Sequence, residues 1–430
     1  MKIAMIGTGY VGLTGGACLA KIGHKVICVD NDFNKIATLR RGEMPIYEPN
    51  LKEIIDEVVQ EKRLIFVTDI KSAVLESEVC FIAVGTPPLD TGEPDLTYVE
   101  NVVREIATSM DGYRLIVEKS TVPVQTGKWI KKTVERYNHR NLPFDIASNP
   151  EFLREGSAVA DFLKPDRIVI GVETPRARDL MLEIYRPLNA PIIVTDIESA
   201  ELIKHASNAF LAMKISFANA LAVICESAGA DISLVVNGIG MDPRIGRAFL
   251  DAGVGYGGFC FPKDLRAFIR IAEELGYNFQ LLKEVETINE ETKQRFVRKI
   301  RKALWNLRGK NIGILGLSFK PNTDDIRFSP SIDIIKALLA EGARVRAYDP
   351  QAMKNTRKIL PDIDYCNTAL DVAVDADILA IVTEWEEFKK LDLKQVKERM
   401  RVPIICDGRN IFDPEVVRKQ GITYIGMGRR

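Results

Sequence analysis

Lys2-Ile3-Ala4-Met5-Ile6, followed at once by Gly7-Thr8-Gly9-Tyr10-Val11-Gly12, decides the fold of this chain. The first five residues read as a buried strand. An apolar helical stretch then runs through Val11, Ala17, Leu19 and Ile22, and a second strand, Lys25-Val-Ile-Cys-Val29, ends on Asp30. Glycines at these positions permit a tight turn, the approach of a pyrophosphate and close helix–strand packing. A carboxylate closing the second strand can accept both hydroxyls of an adenosine ribose and would repel a 2′-phosphate. Strand, glycines, helix, strand and acid occur in register, so the start of the chain predicts NAD binding, with NAD preferred over NADP. A flavin nucleotide on the same fold is the other reading.

Working outward, Leu64–Val67, Val79–Val84, Arg114–Val117 and Phe144–Ala147 continue the pattern. Each is short and apolar and is separated from the next by helical or turn sequence, as a parallel sheet requires. Gly85-Thr86-Pro87-Pro88 and Ser120-Thr121-Val122-Pro123 follow the carboxyl ends of two of these strands. Open α/β sheets bind ligands at that edge, so both loops are candidate cofactor contacts. Ordinary turn chemistry explains the same residues.

Thr195-Asp-Ile-Glu198 has capping-box spacing, and the apolar stretch beyond it reaches Gly229. That predicts a helix of around thirty residues, long enough to join two lobes or form a dimer interface. Lys204 and Asn208 share one face of it. They are either a solvated patch or part of a site. Further on, Gly255-Tyr-Gly-Gly-Phe-Cys260-Phe-Pro262-Lys263-Asp264 leads into a helix predicted from Pro262 to a stop at Gly276. Cys260 then lies just before a helix N-terminus, where partial positive charge favours a thiolate, with Lys263 adding to the effect. A small buried hydrophobe is the alternative for a lone cysteine.

The strand–helix pattern restarts with Asn311–Gly316, a helix from Ser331 to Leu339, Arg344–Tyr348 ending at Asp349, and the strands Ile378–Val382 and Ile404–Cys406. This is a second doubly wound sheet without the full glycine fingerprint, so it is expected to bind something other than NAD. Lys320 and Arg327 follow its first strand, placed either to meet phosphate or as exposed loop cations.

Composition narrows the class. The 430 residues suffice for two or three domains. Basic and acidic residues balance at 59 each, which argues against a nucleic-acid or anionic-membrane partner. The chain enters a strand at once, with no signal segment, and its most apolar stretch is interrupted by Lys214 and Glu226, so a cytoplasmic protein without a membrane span is expected. The seven cysteines show no paired metal-type spacing and suit a reducing compartment; with only three histidines, no metal site is expected.

Taken in order, these motifs resemble the UDP-glucose/GDP-mannose dehydrogenase family over essentially the whole chain. The resemblance rests on Gly7-x-Gly9-x-x-Gly12 with Asp30, Gly85-Thr86-Pro87, Ser120-Thr121-Val-Pro and Asn149-Pro-Glu151-Phe-Leu-Arg-Glu155-Gly. It extends through Lys204 with Asn208, Gly257-Gly-Phe-Cys260-Phe-Pro-Lys-Asp264, Phe319-Lys320 with Arg327, and Thr383-Glu-Trp385. It implies an α/β protein with two doubly wound Rossmann-like domains joined by a long central helix. The implied domains are an NAD-binding domain over 1–195, a helical dimerisation domain with the cysteine over 196–300, and a UDP-sugar-binding domain over 301–430.

The implied activity is a four-electron oxidation of UDP-glucose to UDP-glucuronate with NAD. GDP-mannose or a UDP-N-acetylhexosamine is the alternative substrate, and a non-catalytic NAD-responsive regulator the remote alternative. By resemblance, Cys260 is the nucleophile, Lys204 and Asn208 stabilise negative charge on the C6 oxygen, Asp264 holds a water or relays a proton with Lys204, and Glu151 orients water for thioester hydrolysis. Thr121 and Glu155 position water and cofactor. Gly7, Gly9, Tyr10, Val11, Gly12, Asp30, Lys35, Thr86, Thr121, Glu155, Lys263 and Arg327 are the implied cofactor contacts. Glu151, Phe152, Leu153, Arg154, Glu155, Lys204, Asn208, Phe249, Gly253, Gly257 and Lys320 are the implied substrate contacts. Arg244 resembles an arginine that reaches the diphosphate from the partner of a homodimer. Two departures from the family pattern stand out: Phe259 where serine usually precedes the cysteine, and Asp251 near the expected substrate phosphates.

Overall fold

Short strands that are apolar on both faces need cover on both sides, and the helices between them supply it. The computed structural model describes residues 1–87, 89 and 94–429, so Pro88 of the first cofactor loop lies outside the described residues. Its first sheet contains β1 (Lys2–Ile6), β2 (Lys25–Val29), β3 (Leu64–Val67), β4 (Val79–Ile82), β5 (Arg114–Glu118), β6 (Phe144–Ser148), β7 (Ile168–Val172) and β8 (Ile192–Thr195). Their spatial order is β3-β2-β1-β4-β5-β6-β7-β8. Ile3 of β1 pairs with Val26 on one side and Val79 on the other, so the winding reverses at β1. That reversal opens a crevice at the carboxyl edge, where Gly7 begins. The sheet is parallel from β3 to β6. Strands β7 and β8, which the sequence reading does not anticipate, run the other way, with Ala147 opposite Val172.

The second sheet contains β9 (Asn311–Leu315), β10 (Arg344–Tyr348), β11 (Asp364–Tyr365), β12 (Ile378–Ile381), β13 (Ile404–Asp407) and β14 (Thr423–Gly426). All its pairs are parallel, in the order β11-β10-β9-β12-β13-β14, again wound outward from its first strand.

The chain forms two compact units, Met1–Ser207 with Arg266–Gly276, and Asn208–Leu265 with Tyr277–Arg430. In the first, Ile3, Met5, Leu13 and Phe81 pack one face of the sheet, and Ile6, Val29, Ile82 and Ile116 the other. In the second, Phe296, Ile312 and Ile335 cover one face, and Leu315, Phe388 and Ile405 the other.

Two helices run through the unit boundaries. The long helix spans Ile197–Ala228 and stops at Gly229, whose φ of +79° suits a glycine-terminated end. Its start corrects the expected cap. The carboxylate of Asp196, not the hydroxyl of Thr195, accepts from Ser199 N at 2.7 Å, and it also takes the Ser199 hydroxyl at 2.8 Å. By length and composition this helix passes for a membrane span; 44% of its most apolar window is buried. The cysteine helix spans Cys260–Glu274, so Cys260 is its first residue and not the residue before it. Pro262 falls in the first turn, where its missing N–H would have had no intrahelical partner.

Candidate active site

The first unit carries the dinucleotide cradle. Gly7 has φ +101°, and a Cβ at Gly12 would strike the Gly7 carbonyl, so only glycines allow the strand to turn this tightly into the helix Tyr10–Lys21. At the end of β2, Asp30 accepts from Thr8 N at 2.9 Å, Thr8 Oγ1 at 2.7 Å and Lys35 Nζ at 2.8 Å. Burial raises its pKa, but the hydrogen bonds from Lys35, Asp32 and Thr8 outweigh burial and hold it below the ordinary range. An ionised acceptor therefore stands beside the glycine turn, which fits a ribose diol. Tyr10 bonds Glu48, and Glu48 accepts from the amides of Gly156 and Ala158, fixing the Glu155–Gly156 turn beside the cradle. Val11 is half-buried on the first turn of the same helix.

Thr86 Oγ1 donates to Thr121 O at 3.0 Å, which joins the two loops at the carboxyl ends of β4 and β5. After β6, the buried Glu151 accepts from Lys204 Nζ at 2.9 Å and from Leu153 N at 2.5 Å. Phe152 lies near both Arg167, whose guanidinium carbon is 3.7 Å from the ring centroid, and the Lys204 ammonium at 5.5 Å. Arg154 turns outward and pairs with Asp161 at 2.6 Å. A cavity of about 130 Å³ is lined in part by Glu151, Phe152, Arg167 and the buried Lys119. Lys119 donates to Asn149 Oδ1 at 3.0 Å, and burial, offset by Glu151 and reinforced by Lys204, lowers its pKa to about 8.

The second unit holds the cysteine. Gly255 and Gly258 have φ of +94° and +81°, and a Cβ at Gly257 would strike the Phe328 carbonyl. This turn is pinned by Asn289, which accepts from Tyr256 N at 2.8 Å, by Gly258 N donating to Arg327 O at 3.0 Å, and by Arg409 donating to Gly255 O at 3.2 Å. Of the seven cysteines, all within the described residues, six are buried and Cys260 is not. Burial pushes Cys18, Cys28 and Cys80 up to about 12. One turn along the cysteine helix, Asp264 accepts from Asn208 Nδ2 at 2.6 Å and pairs with Lys263 Nζ at 2.7 Å.

Phe259 has a partner of its own kind. Its ring centroid lies 4.2 Å from the Arg327 guanidinium carbon and 5.5 Å from the Lys263 ammonium, both within cation–π range. Arg327 also forks onto Asp325 at 2.7 Å. Asp251 is exposed and paired with Arg247 at 2.5 Å. Phe249, at φ +65°, packs against Phe261, and Gly253 N donates to Asn219 at 2.8 Å. Lys320 Nζ lies 5.3 Å from the Phe319 centroid. The Arg244 side chain is 87% exposed and is held by Asp242 at 2.6 Å.

Family profiles match this chain in three consecutive stretches of the UDP-glucose/GDP-mannose dehydrogenase family: the NAD binding domain over residues 1–189, the central domain over 198–291 and the UDP binding domain over 313–414. The chain belongs to the UDP-glucose/GDP-mannose dehydrogenase family. It is similar to the UDP-glucose 6-dehydrogenase TuaD of Bacillus subtilis, at 47% identity over 100% of this chain and 93% of that protein. It is likewise 47% identical to a UDP-glucose 6-dehydrogenase of Rhizobium meliloti over 100% of both. A solved UDP-glucose dehydrogenase from the hyperthermophilic archaeon Pyrobaculum islandicum matches with TM-score 0.94 and 39% identity, covering 100% of this chain and 98% of that one. The protein is an NAD-dependent dehydrogenase with two Rossmann-like domains.

Within the first unit the structure brings together Glu151, Phe152 and Lys204; within the second it brings together Asn208, Lys263 and Asp264, with Phe259 and Arg327 stacked beside the cysteine. Sequence reasoning passed over Lys119, Glu201, His205 and Arg409. The first follows directly on β5 in the Ser120-Thr121 motif, and the next two repeat the helical spacing of Lys204 and Asn208, so a signal existed for three of the four.

Proposed function

We propose that the protein oxidises the C6 alcohol of UDP-glucose to a carboxylate through a covalent intermediate on Cys260. The observation that carries this reading is the contrast among its cysteines: six are buried, whereas Cys260 is only partly buried and opens a helix. Relatives named for UDP-glucose, matched over the whole chain, support the substrate.

Gly7, Gly9, Gly12 and Asp30, with Thr86, Thr121, Lys263 and Arg327, would hold NAD, and two NAD molecules bound in succession would each accept one hydride. Once C6 is an aldehyde, the Cys260 sulfur adds to it, and the carbonyl electron pair moves to oxygen, which takes a proton. C6 is then a tetrahedral alcohol that keeps the aldehyde's one C–H bond, so the carbon can lose that hydrogen as a second hydride and become a thioester. Water then adds, the C–S bond breaks and the thiolate leaves. Lys204 and Asn208, on successive turns of one helix, offset the negative charge that develops on the C6 oxygen. Glu151 orients the hydrolytic water. Asp264, held by Asn208, takes up and returns the proton. Phe249, Gly253, Gly257 and Lys320 bind the nucleotide sugar with the Glu151–Glu155 segment.

The working form is a cytoplasmic homodimer in this reading. Phe210, Phe217 and Ile224 recur at seven-residue intervals on the long helix and are 58%, 54% and 61% exposed, an apolar stripe suited to a second copy. Arg244, solvent-facing and paired with Asp242, would exchange that carboxylate for the other copy's diphosphate. The deciding experiment offers UDP-glucose, GDP-mannose and UDP-N-acetylhexosamines separately with excess NAD. Two NADH per UDP-glucose consumed is expected. Turnover of GDP-mannose without turnover of UDP-glucose would overturn the substrate.

A further inference from the structure

The polar face of the long helix is longer than the Lys204/Asn208 pair. Glu201, Lys204, His205 and Asn208 fall at successive helical-face positions, and all are buried. Two of them do not face the proposed chemistry. The Glu201 carboxylate takes Gln125 N at 2.6 Å and Gly127 N at 2.8 Å, and His205 Nε2 donates to Val122 O at 2.7 Å, the carbonyl fixing which nitrogen carries the proton. The loop so held is the one that begins at Thr121 and enters the helix Thr126–Tyr137.

That loop has a demanding geometry. Gln125 sits at φ +79°, and a Cβ at Gly127 would come within 2.5 Å of Ile197 Cγ2, so the loop abuts the start of the long helix. Glu201 acts as a remote cap for a helix N-terminus whose own N-cap side chain makes no bond. The groups facing it are Glu118 at the end of β5, Glu198 on its own helix, and Lys128 on the capped helix. Burial first, and Glu198 second, raise the Glu201 pKa to about 7 against the pull of the two amides and Lys128. A buried acid among acids is unfavourable for stability, and its return is an ionised acceptor for two N–H groups.

We infer that Glu201 and His205 are positioning residues that tether the Thr121 loop to the helix bearing Lys204, so that cofactor binding and placement of the charge-stabilising lysine are coupled. This rests on the reading above that Thr121 lies at the cofactor.

The test uses the full-length enzyme and reads NAD affinity by fluorescence titration, alongside kcat and the KM for each substrate, from pH 6 to 7.5. Glu201→Gln is expected to weaken NAD about 10- to 100-fold, the range for one charge-assisted hydrogen bond to a buried group. KM for UDP-glucose should stay within about twofold. In the wild type, NAD affinity should fall as pH drops through the Glu201 transition; in Glu201→Gln it should be flat there. His205→Gln, which keeps a donor at similar reach, should bind NAD near the wild-type level, and His205→Leu about tenfold more weakly. Unchanged NAD affinity and pH profile in Glu201→Gln overturns the tether. If that variant does not fold, equal NAD affinity in the two His205 variants overturns it instead. Thr121→Ala separates the two ideas: if it leaves NAD affinity unchanged, the cofactor reading itself fails, whereas a weakened Thr121→Ala beside an unaltered Glu201→Gln sinks the tether alone.

Discussion

Replacing Lys204 would disturb two things at once, and their sizes must be separated. Its ammonium lies 2.9 Å from Glu151, with side-chain exposures of 5% and 6%. Removing one member of such a buried pair costs about 3–5 kcal/mol, because the other charge is left uncompensated. Lys119, whose charge also acts on Glu151, places the cost toward the lower end, about 3 kcal/mol. Losing a preorganised group that meets developing oxyanion charge lowers kcat about 10²–10³-fold, again near 3 kcal/mol. A single variant therefore cannot tell a catalytic lysine from one that only neutralises Glu151.

A double-mutant cycle can. Lys204→Met should destabilise the protein and slow the first hydride transfer about 10²–10³-fold in stopped-flow NADH absorbance. Glu151→Gln should leave that first phase nearly intact and slow steady turnover, since its role comes with the hydrolytic water. In the double variant stability should return to within about 1 kcal/mol of wild type, because two neutral side chains replace the pair. Its first phase should nevertheless remain as slow as in Lys204→Met. Equal first-phase rates in Glu151→Gln and the double variant would refute direct charge stabilisation by Lys204.

Three other outcomes follow from the geometry. Cys260→Ser should cut production of uronate at least about a hundredfold while NAD and UDP-glucose binding, measured by calorimetry, stay near wild type; uronate formed at the native rate would sink the thioester route. Asp30→Asn removes the ribose acceptor and frees Lys35, so the ratio of NAD to NADP affinity should drop at least about tenfold, and an unchanged ratio would argue against the diol contact. Burial, outweighing the bonds from Ser120, raises Glu118 from 4.5 to about 8, and its Oε2 has no hydrogen-bond partner among the described residues. The native state therefore holds a proton that the unfolded state releases above about 4.5, so this contribution is full below that pH and is lost as pH rises through 8. Wild type should lose a few kcal/mol relative to Glu118→Gln between about pH 5 and 8.5, and parallel denaturation midpoints for the two proteins would contradict the shift.

Legibility in the sequence tracked how local each determinant is. The glycine turn and Asp30 were readable because one short stretch fixes strand, turn, helix and acid together. The second sheet was readable for the same reason, strand by strand, except β11, whose two residues carry too little pattern, and β14, the short edge strand Thr423–Gly426. Strands β7 and β8 are apolar runs like the others, but their reversed direction depends on pairing that no single stretch encodes. Thr195 and Asp196 are both good caps, and only the hydrogen bond to Ser199 distinguishes them. Pro262 suggested a helix starting there, yet proline is tolerated anywhere in a first turn, so the start at Cys260 was hidden by two residues. At the site, Lys204 and Asn208 were visible as a pair, whereas the brace from Arg409 to Gly255 joins residues 154 apart in the chain and left no local trace.

The placement of Cys260 changes which neighbour matters to it. From sequence, Lys263 looked like an electrostatic aid to the thiol. In the structure that ammonium is within 2.7 Å of Asp264 and 5.5 Å of the Phe259 ring, so its charge is balanced locally. Asp264 in turn is held by Asn208, which engages the lysine in a buried network. Beside the thiol is the first turn of a fifteen-residue helix, whose backbone N–H groups favour negative charge. Those donors belong to the backbone and cannot be lost by substitution of a side chain, which explains how Phe259 can stand where a serine is usual. The ring lies against Arg327 and leaves the helix start intact. Lys263→Met should consequently disturb Asp264 and Asn208 more than it disturbs the cysteine. Alkylation of Cys260 by iodoacetamide, followed by mass spectrometry across pH, should proceed within about threefold of the wild-type rate in that variant, and a loss of reactivity of tenfold or more would return Lys263 to the role of thiol activator.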